Sequence, residues 1–143
     1  MEEKIGFGQI REMVAQECVN TMALRFVEQM SFSNNYNDIV CNLAQTDEFR
    51  QILLMENNFP SQDFFDLSSE LSRLRTIGTT IDLQALFDLK CSLRTVFDCV
   101  RFFQTTEDSK YPRLIVLVEK VELDPWVLKE CNSIIDDKGN IYD

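Results

Sequence analysis

The sequence of 143 residues contains no histidine, and only four glycines and three prolines. Without histidine, Ser-His nucleophile pairs and His-containing metal sites are excluded. The glycines (Gly6, Gly8, Gly78 and Gly139) form neither a GxGxxG turn nor a GxxxxGK[ST] phosphate cradle. Basic residues are also scarce: fourteen Lys and Arg face twenty-four Asp and Glu, a net charge of −10. Affinity for duplex DNA rests largely on cations that neutralise phosphates, so weak or absent binding is expected of this segment. The acidic surplus reads as a solvated surface. No apolar run reaches membrane-span length, and the opening "MEEKIGFGQI" is acidic where a secretory leader would be basic. The five cysteines, Cys18, Cys41, Cys91, Cys99 and Cys131, are odd in number and lack CxxC spacing. Cys91 and Cys99 lie too far apart along one helix to be bridged. All five read as small apolar residues in a reducing compartment, so a cytoplasmic location with no membrane partner is expected.

What is present is helical patterning. At 45% hydrophobic and 27% charged, the chain reads as one globular domain over 1–143. Apolar residues recur every four positions at Ile10, Val14, Cys18, Met22, Phe26 and Met30. One straight helix would smear that stripe, so a break at "VNTMA" is expected, with Asn20 capping a second helix. "SFSNN" supplies cap residues for a helix through Ile39, Leu43, Phe49, Ile52 and Leu53, and "NNFPSQ" reads as a loop. A short helix around Leu67, Leu71 and Leu74 ends at "IGTT". The most regular element starts at the N-cap Asp82 and carries a seam of Leu86, Leu89, Leu93, Val96, Val100 and Phe103. Leu93 is expected to be buried mid-seam and Asp98 to face outward. After the polar loop "TTEDSKYP", Pro112 suits a first helical turn with Leu114, Leu117, Val118 and Val121 inward, although β-branched "LIVLV" leaves a strand open over 112–121. Asp124-Pro125 reads as an N-cap followed by proline at the first helical position, leading to Trp126, Val127, Cys131, Ile134 and Ile135. The expected fold class is all-α, an irregular bundle of about six helices.

Candidate chemistry is sparse. The acid pairs Asp136-Asp137 and Glu2-Glu3 read as solvated surface rather than acid/base pairs. Arg73, Arg75, Arg94 and Arg101 could line a basic face, with ion pairing on helix surfaces as the plainer use. "DDKGN" has the look of a calcium loop but lacks the glutamate that an EF-hand needs at position twelve. Its Gly139 suits a left-handed helix C-cap. Trp126 reads as core. No catalytic, cofactor-binding or metal-ligating residue is assigned.

The order of elements nevertheless carries a likeness. "IGFGQIREMV" and the capped "NTMALRFVEQM" resemble the opening of the MutS family of DNA-repair ATPases, in its bacterial branch lacking the mismatch-reading and connector domains. "AQTDEFRQIL", "DLSSELSRLRTIGTTIDLQALFDLKCSL" and the closing "IIDDKGNIYD" resemble successive stretches of the same core helices. Asn20 stands where the family has serine and Ala23 where it has glycine; asparagine still caps, whereas Ala23 weakens any tight backbone contact. The resemblance implies a non-catalytic core or lever segment at the N-terminus of a longer protein. That parent would use ATP and Mg at a P-loop domain, grip DNA as a homodimer, and in some relatives carry an Smr nuclease domain. The competing expectation is a free-standing helical adaptor that docks a partner protein. A small helical enzyme would need a deep pocket with convergent carboxylates.

Overall fold

The computed structural model describes residues 6–107 and 109–142. Seven α-helices follow one another among them: α1 (Phe7–Gln16), α2 (Thr21–Glu28), α3 (Tyr36–Met55), α4 (Ser68–Leu74), α5 (Leu83–Thr105), α6 (Pro112–Val118) and α7 (Pro125–Ile134). The architecture is all-α; the one β feature among these residues is an isolated antiparallel bridge between Ile135 and Ile141. Four starts are fixed by side chains that satisfy otherwise orphaned N–H groups. Asn20 accepts from the Ala23 N–H at 2.8 Å and Asn35 from that of Asn37 at 3.1 Å. Asp82 accepts from Ala85 at 2.8 Å, and Asp124 from Trp126 at 2.8 Å, with Pro125 at the first helical position. The stretch left open over 112–121 is helical through Val118.

The chain divides into two compact units, Met1–Asn34 and Asn35–Asp143. In the first, α1 packs on α2. Arg11 lies 5.0 Å over the Phe7 ring and donates to the Met30 carbonyl at 2.6 Å, and Phe7 meets Phe32 at 5.9 Å between centroids. Val27 is the one buried residue among those described in this unit.

The second unit has a core in which Ile52 of α3, Phe102 and Phe103 of α5, and Tyr111 are buried against Phe59, Leu114, Ile115 and Val118. The rings form an edge-to-face chain, Phe49–Phe59–Phe102–Phe103, with centroids 5.2–5.4 Å apart. Such pairs favour edge-to-face geometry because the ring edge is positive and its face negative. Three expectations fail here. The α5 seam is only half-buried at Leu86, Leu89, Leu93, Val96 and Val100, while Ala85, Lys90, Thr95, Phe102 and Phe103 are buried. The reason is that α5 is covered by different partners along its length, α7 and the tail toward one end and α6 toward the other. Leu117 and Val121 are exposed, with Ile115 packed on the core instead, and Trp126 is 62% exposed rather than buried.

Candidate functional site

The most constrained polar arrangement centres on Lys90. Its side chain, 3% exposed, projects from the middle of α5 toward the last residues of the chain. The ammonium donates to the carbonyls of Ile135 and Asp136, each at 2.9 Å, and pairs with Asp137 at 3.1 Å. An ammonium has three N–H donors, so this group is fully satisfied, the condition under which a buried lysine is tolerated. One turn of helix further on, Arg94 pairs with the same Asp137 oxygen at 2.7 Å. That guanidinium, followed by Lys90, holds the Asp137 carboxyl below its ordinary value of 3.8.

The segment gripped by Lys90 is a closed turn. Asp136 N–H donates to the Asn140 carbonyl at 2.8 Å, and Tyr142 N–H to the Ile134 carbonyl at 3.0 Å. The Asp136 carboxylate accepts from the Lys138 and Asn140 backbone N–H groups, each at 2.8 Å, and from the Asn140 amide at 3.0 Å. These donors, Asn140 first, lower its pKa. Gly139 has φ 83°, and a Cβ there would meet the Phe87 ring of α5 at 3.1 Å. This glycine therefore serves a turn pressed onto α5, not the C-cap of α7, whose C-cap residue is Ile135. Asp136 and Asp137 were expected as solvated surface, and the Asp137 side chain is 74% exposed; both carboxylates also accept bonds from the protein itself.

Two further ties cross the second unit. Glu48 of α3 accepts from the Arg113 and Leu114 N–H groups at 2.9–3.1 Å, capping α6 from another helix at its positive end. Glu56 takes bonds from both Lys110 and the hydroxyl of the fully buried Tyr111. Lys110, then Tyr111, lowers the Glu56 pKa, and burial raises that of Tyr111. Among the remaining candidates, Arg73 pairs with Glu70 at 2.5 Å and donates to the Thr80 carbonyl at 3.0 Å, while Arg75 and Arg101 lie on the surface. Glu2-Glu3 lies outside the described residues.

The cationic donors are engaged, the carboxylates are held ionised by neighbours, and no group of three metal-ligating side chains occurs among the described residues. The grooves are open: the one bounded by Phe97, Arg101, Gln104, Leu123 and Pro125 holds about 520 Å³. No described helix is long and apolar enough to cross a membrane. The turn at Gly139 was visible in the sequence, whereas for the burial of Lys90 a lysine inside the α5 apolar pattern was the one available sign.

The arrangement defines a class: a helical segment whose polar side chains tie one element to another. Sequence comparison narrows this. The chain is 25% identical over 139 residues to Endonuclease MutS2 of Ligilactobacillus salivarius, a match covering 96% of this chain and 18% of that protein. It is 22% identical over 140 residues to Endonuclease MutS2 of Exiguobacterium sibiricum, and 24% identical over 117 residues to that of Alkaliphilus metalliredigens. These likenesses relate the chain to the MutS2 proteins, of whose length it spans less than one fifth. No family model matches, and no solved structure does.

Proposed function

We propose that these residues form a non-catalytic core, or lever, segment of a MutS-like ATPase of DNA mismatch repair or recombination control. The observation that carries the reading is the likeness along 96% of the chain to a short part of MutS2 proteins. In this role the segment links the ATPase domain to the DNA clamp. A lever must move as a body, and α5 suits that: its 23 residues span about 35 Å at 1.5 Å per residue. The Lys90 clamp ties it to the turn after α7, and the Phe102–Tyr111 stack ties it to α6. ATP and Mg are then bound by a P-loop domain elsewhere in a homodimeric, cytoplasmic parent, and DNA by the parent's clamp. The segment itself hydrolyses neither ATP nor DNA.

A chimera tests this. This chain replaces the matching segment of a MutS2 relative, and ATPase rate is measured with and without DNA. The expected result is a DNA response comparable with the relative's own, and weakened response with retained basal hydrolysis when Lys90→Met is added. A chimera whose DNA response survives deletion of the whole segment sinks the lever. The adaptor reading draws on one observation, the exposed apolar faces of α1 and α2, and predicts a gene whose reading frame encodes no P-loop.

A further inference from the structure

Helix α3 carries apolar residues on two opposite sides. Cys41, Gln45, Glu48 and Ile52 share one side and are among its shielded positions, with Ile52 in the core. Half a turn around the helix lie Tyr36, Val40, Leu43, Asp47, Arg50 and Leu54, spaced four, three, four, three, four. The four apolar members of this second seam are 76%, 42%, 65% and 69% exposed, and Leu53 beside it is 59% exposed. Its polar members form a closed layer: the Asp47 carboxylate accepts from Arg50 and from Gln51, each at 2.8 Å. A helix that is apolar on every side is ordinarily enclosed by protein, and here one side is bare.

We propose that this seam is the docking face for one further α-helix, supplied by the part of the MutS-like parent that this chain does not span. The inference rests on the reading of the chain as a piece of that longer protein; the match to the Ligilactobacillus salivarius relative covers 18% of its length. Three features describe the occupant. The first is spacing. A repeat of three and four keeps one face toward a neighbouring helix that crosses at about 20°, and from Tyr36 to Leu54 it runs about 27 Å. The second is charge. The flanking positions Asn37, Ile39, Ala44, Thr46, Gln51 and Leu53 are all uncharged, in a chain of net charge −10. Charges at such positions normally select the partner, so the helix that fits here is uncharged along its own flanks. The third is the polar layer. Asp47 and Arg50 already satisfy each other, so the occupant needs an amide or hydroxyl at that level and no countercharge. A seam with a charged middle holds a free helix poorly, whereas a segment of the same polypeptide meets it at an effective concentration on the order of mM.

The test uses the full-length chimera described above, with the photoreactive residue p-benzoylphenylalanine in place of Val40 or, separately, of Tyr36. Irradiation should join α3 to one peptide of the relative's own part, within a single polypeptide, and that peptide should carry apolar residues three and four apart. Leu43→Asp or Leu54→Asp should each cut the yield about tenfold, as loss of an anchor in a helix interface does. Asn42→Asp, an exposed position of α3 off the seam, should leave the yield as it is. In the 143-residue chain alone the same three substitutions should leave helical circular dichroism unchanged, since all lie on its surface. A cross-link that joins two polypeptides, one that reaches added DNA, or none at all overturns the proposal. The DNA response of the ATPase separates this from the lever: a responsive chimera without the cross-link sinks the docking face alone, and the cross-link in an unresponsive chimera upholds the docking face and sinks the lever.

Discussion

The helix pair α1–α2 and the body from α3 onward start from the same kind of material and end differently. Both have helices capped by asparagine side chains, yet the pair buries Val27 alone among its described residues while the body encloses Ile52 and Tyr111 completely. The difference lies in what crosses between elements. In the body, Lys90, Glu48 and Glu56 each reach over more than forty residues to hold another segment. In the pair, Arg11 donates to the Met30 carbonyl, nineteen residues away. Periodicity decides which face of a helix is apolar; it does not supply the surface that covers it.

The sharpest way to test this comparison is to remove apolar bulk from both regions. Ile52→Ala, at a fully buried position on α3, should cost about 2–5 kcal/mol through lost burial and an unfilled cavity. Phe26→Ala, at an exposed position on α2, should change monomer stability by less than about 0.5 kcal/mol. Urea melts at concentrations below any association give both numbers. Similar shifts would mean that the pair has a core of its own. Leu93→Ala falls between, at about 1–2 kcal/mol, because half-burial removes much of the 2–5 kcal/mol expected of a mid-seam leucine.

The next effect separates polar ties from packing. Lys90→Met keeps the volume of the stem but removes every donor to Ile135, Asp136 and Asp137. A buried acceptor left without its donor costs about 1–3 kcal/mol, and an effect of that size is expected. Hydrogen exchange locates it: the Asp136 and Tyr142 amides, which close the terminal turn, should lose protection while the α2 amides do not change. Uniform loss across both regions would contradict a local clamp.

These contrasts also show what the sequence carries. The capped starts at Asn20, Asn35, Asp82 and Asp124 are local, each a side chain reaching two or three residues along, so they were legible without tertiary information. The helix break between α1 and α2 was legible for the same reason. Tyr111 sat within a polar loop and is fully buried, whereas Trp126 looked like core and is exposed. Both depend on which helix lies opposite, which no single stretch encodes. Gly139 was visible as a turn residue, but its second role, close approach to the Phe87 ring, requires the fold.

Acid should reveal the polar ties of the body without touching the pair. Glu56, Asp136 and Asp137 all have folded pKa values below their ordinary ones, 4.5 for glutamate and 3.8 for aspartate. A lowered folded value means that the unfolded chain binds protons first as pH falls. Their contribution is thus complete above the ordinary values and is lost as pH drops through the folded ones. The urea midpoint should hold from pH 7 to about 5 and decline below about 4.5. Asp137→Asn should flatten that decline while lowering the midpoint at pH 7. An unchanged decline would mean that the Arg94 and Lys90 pairing contributes nothing.

The smallest expected effect concerns Asp98, on the exposed side of α5 beside the half-buried Cys99. Its charge contributes a minor attraction to Arg94, after the direct Asp137 contact, and adds to burial in keeping the Cys99 thiol protonated. Asp98→Ala should therefore shift stability by less than about 0.5 kcal/mol, as surface substitutions do. It should also make Cys99 slightly easier to ionise, because one of its two raising influences is gone while burial remains. Thiol-reagent kinetics against pH would register this as a small downward move of the Cys99 profile, with Cys131, raised chiefly by its own burial, as the internal reference. A stability loss approaching that of Leu93→Ala would show that this side of α5 is covered by another element.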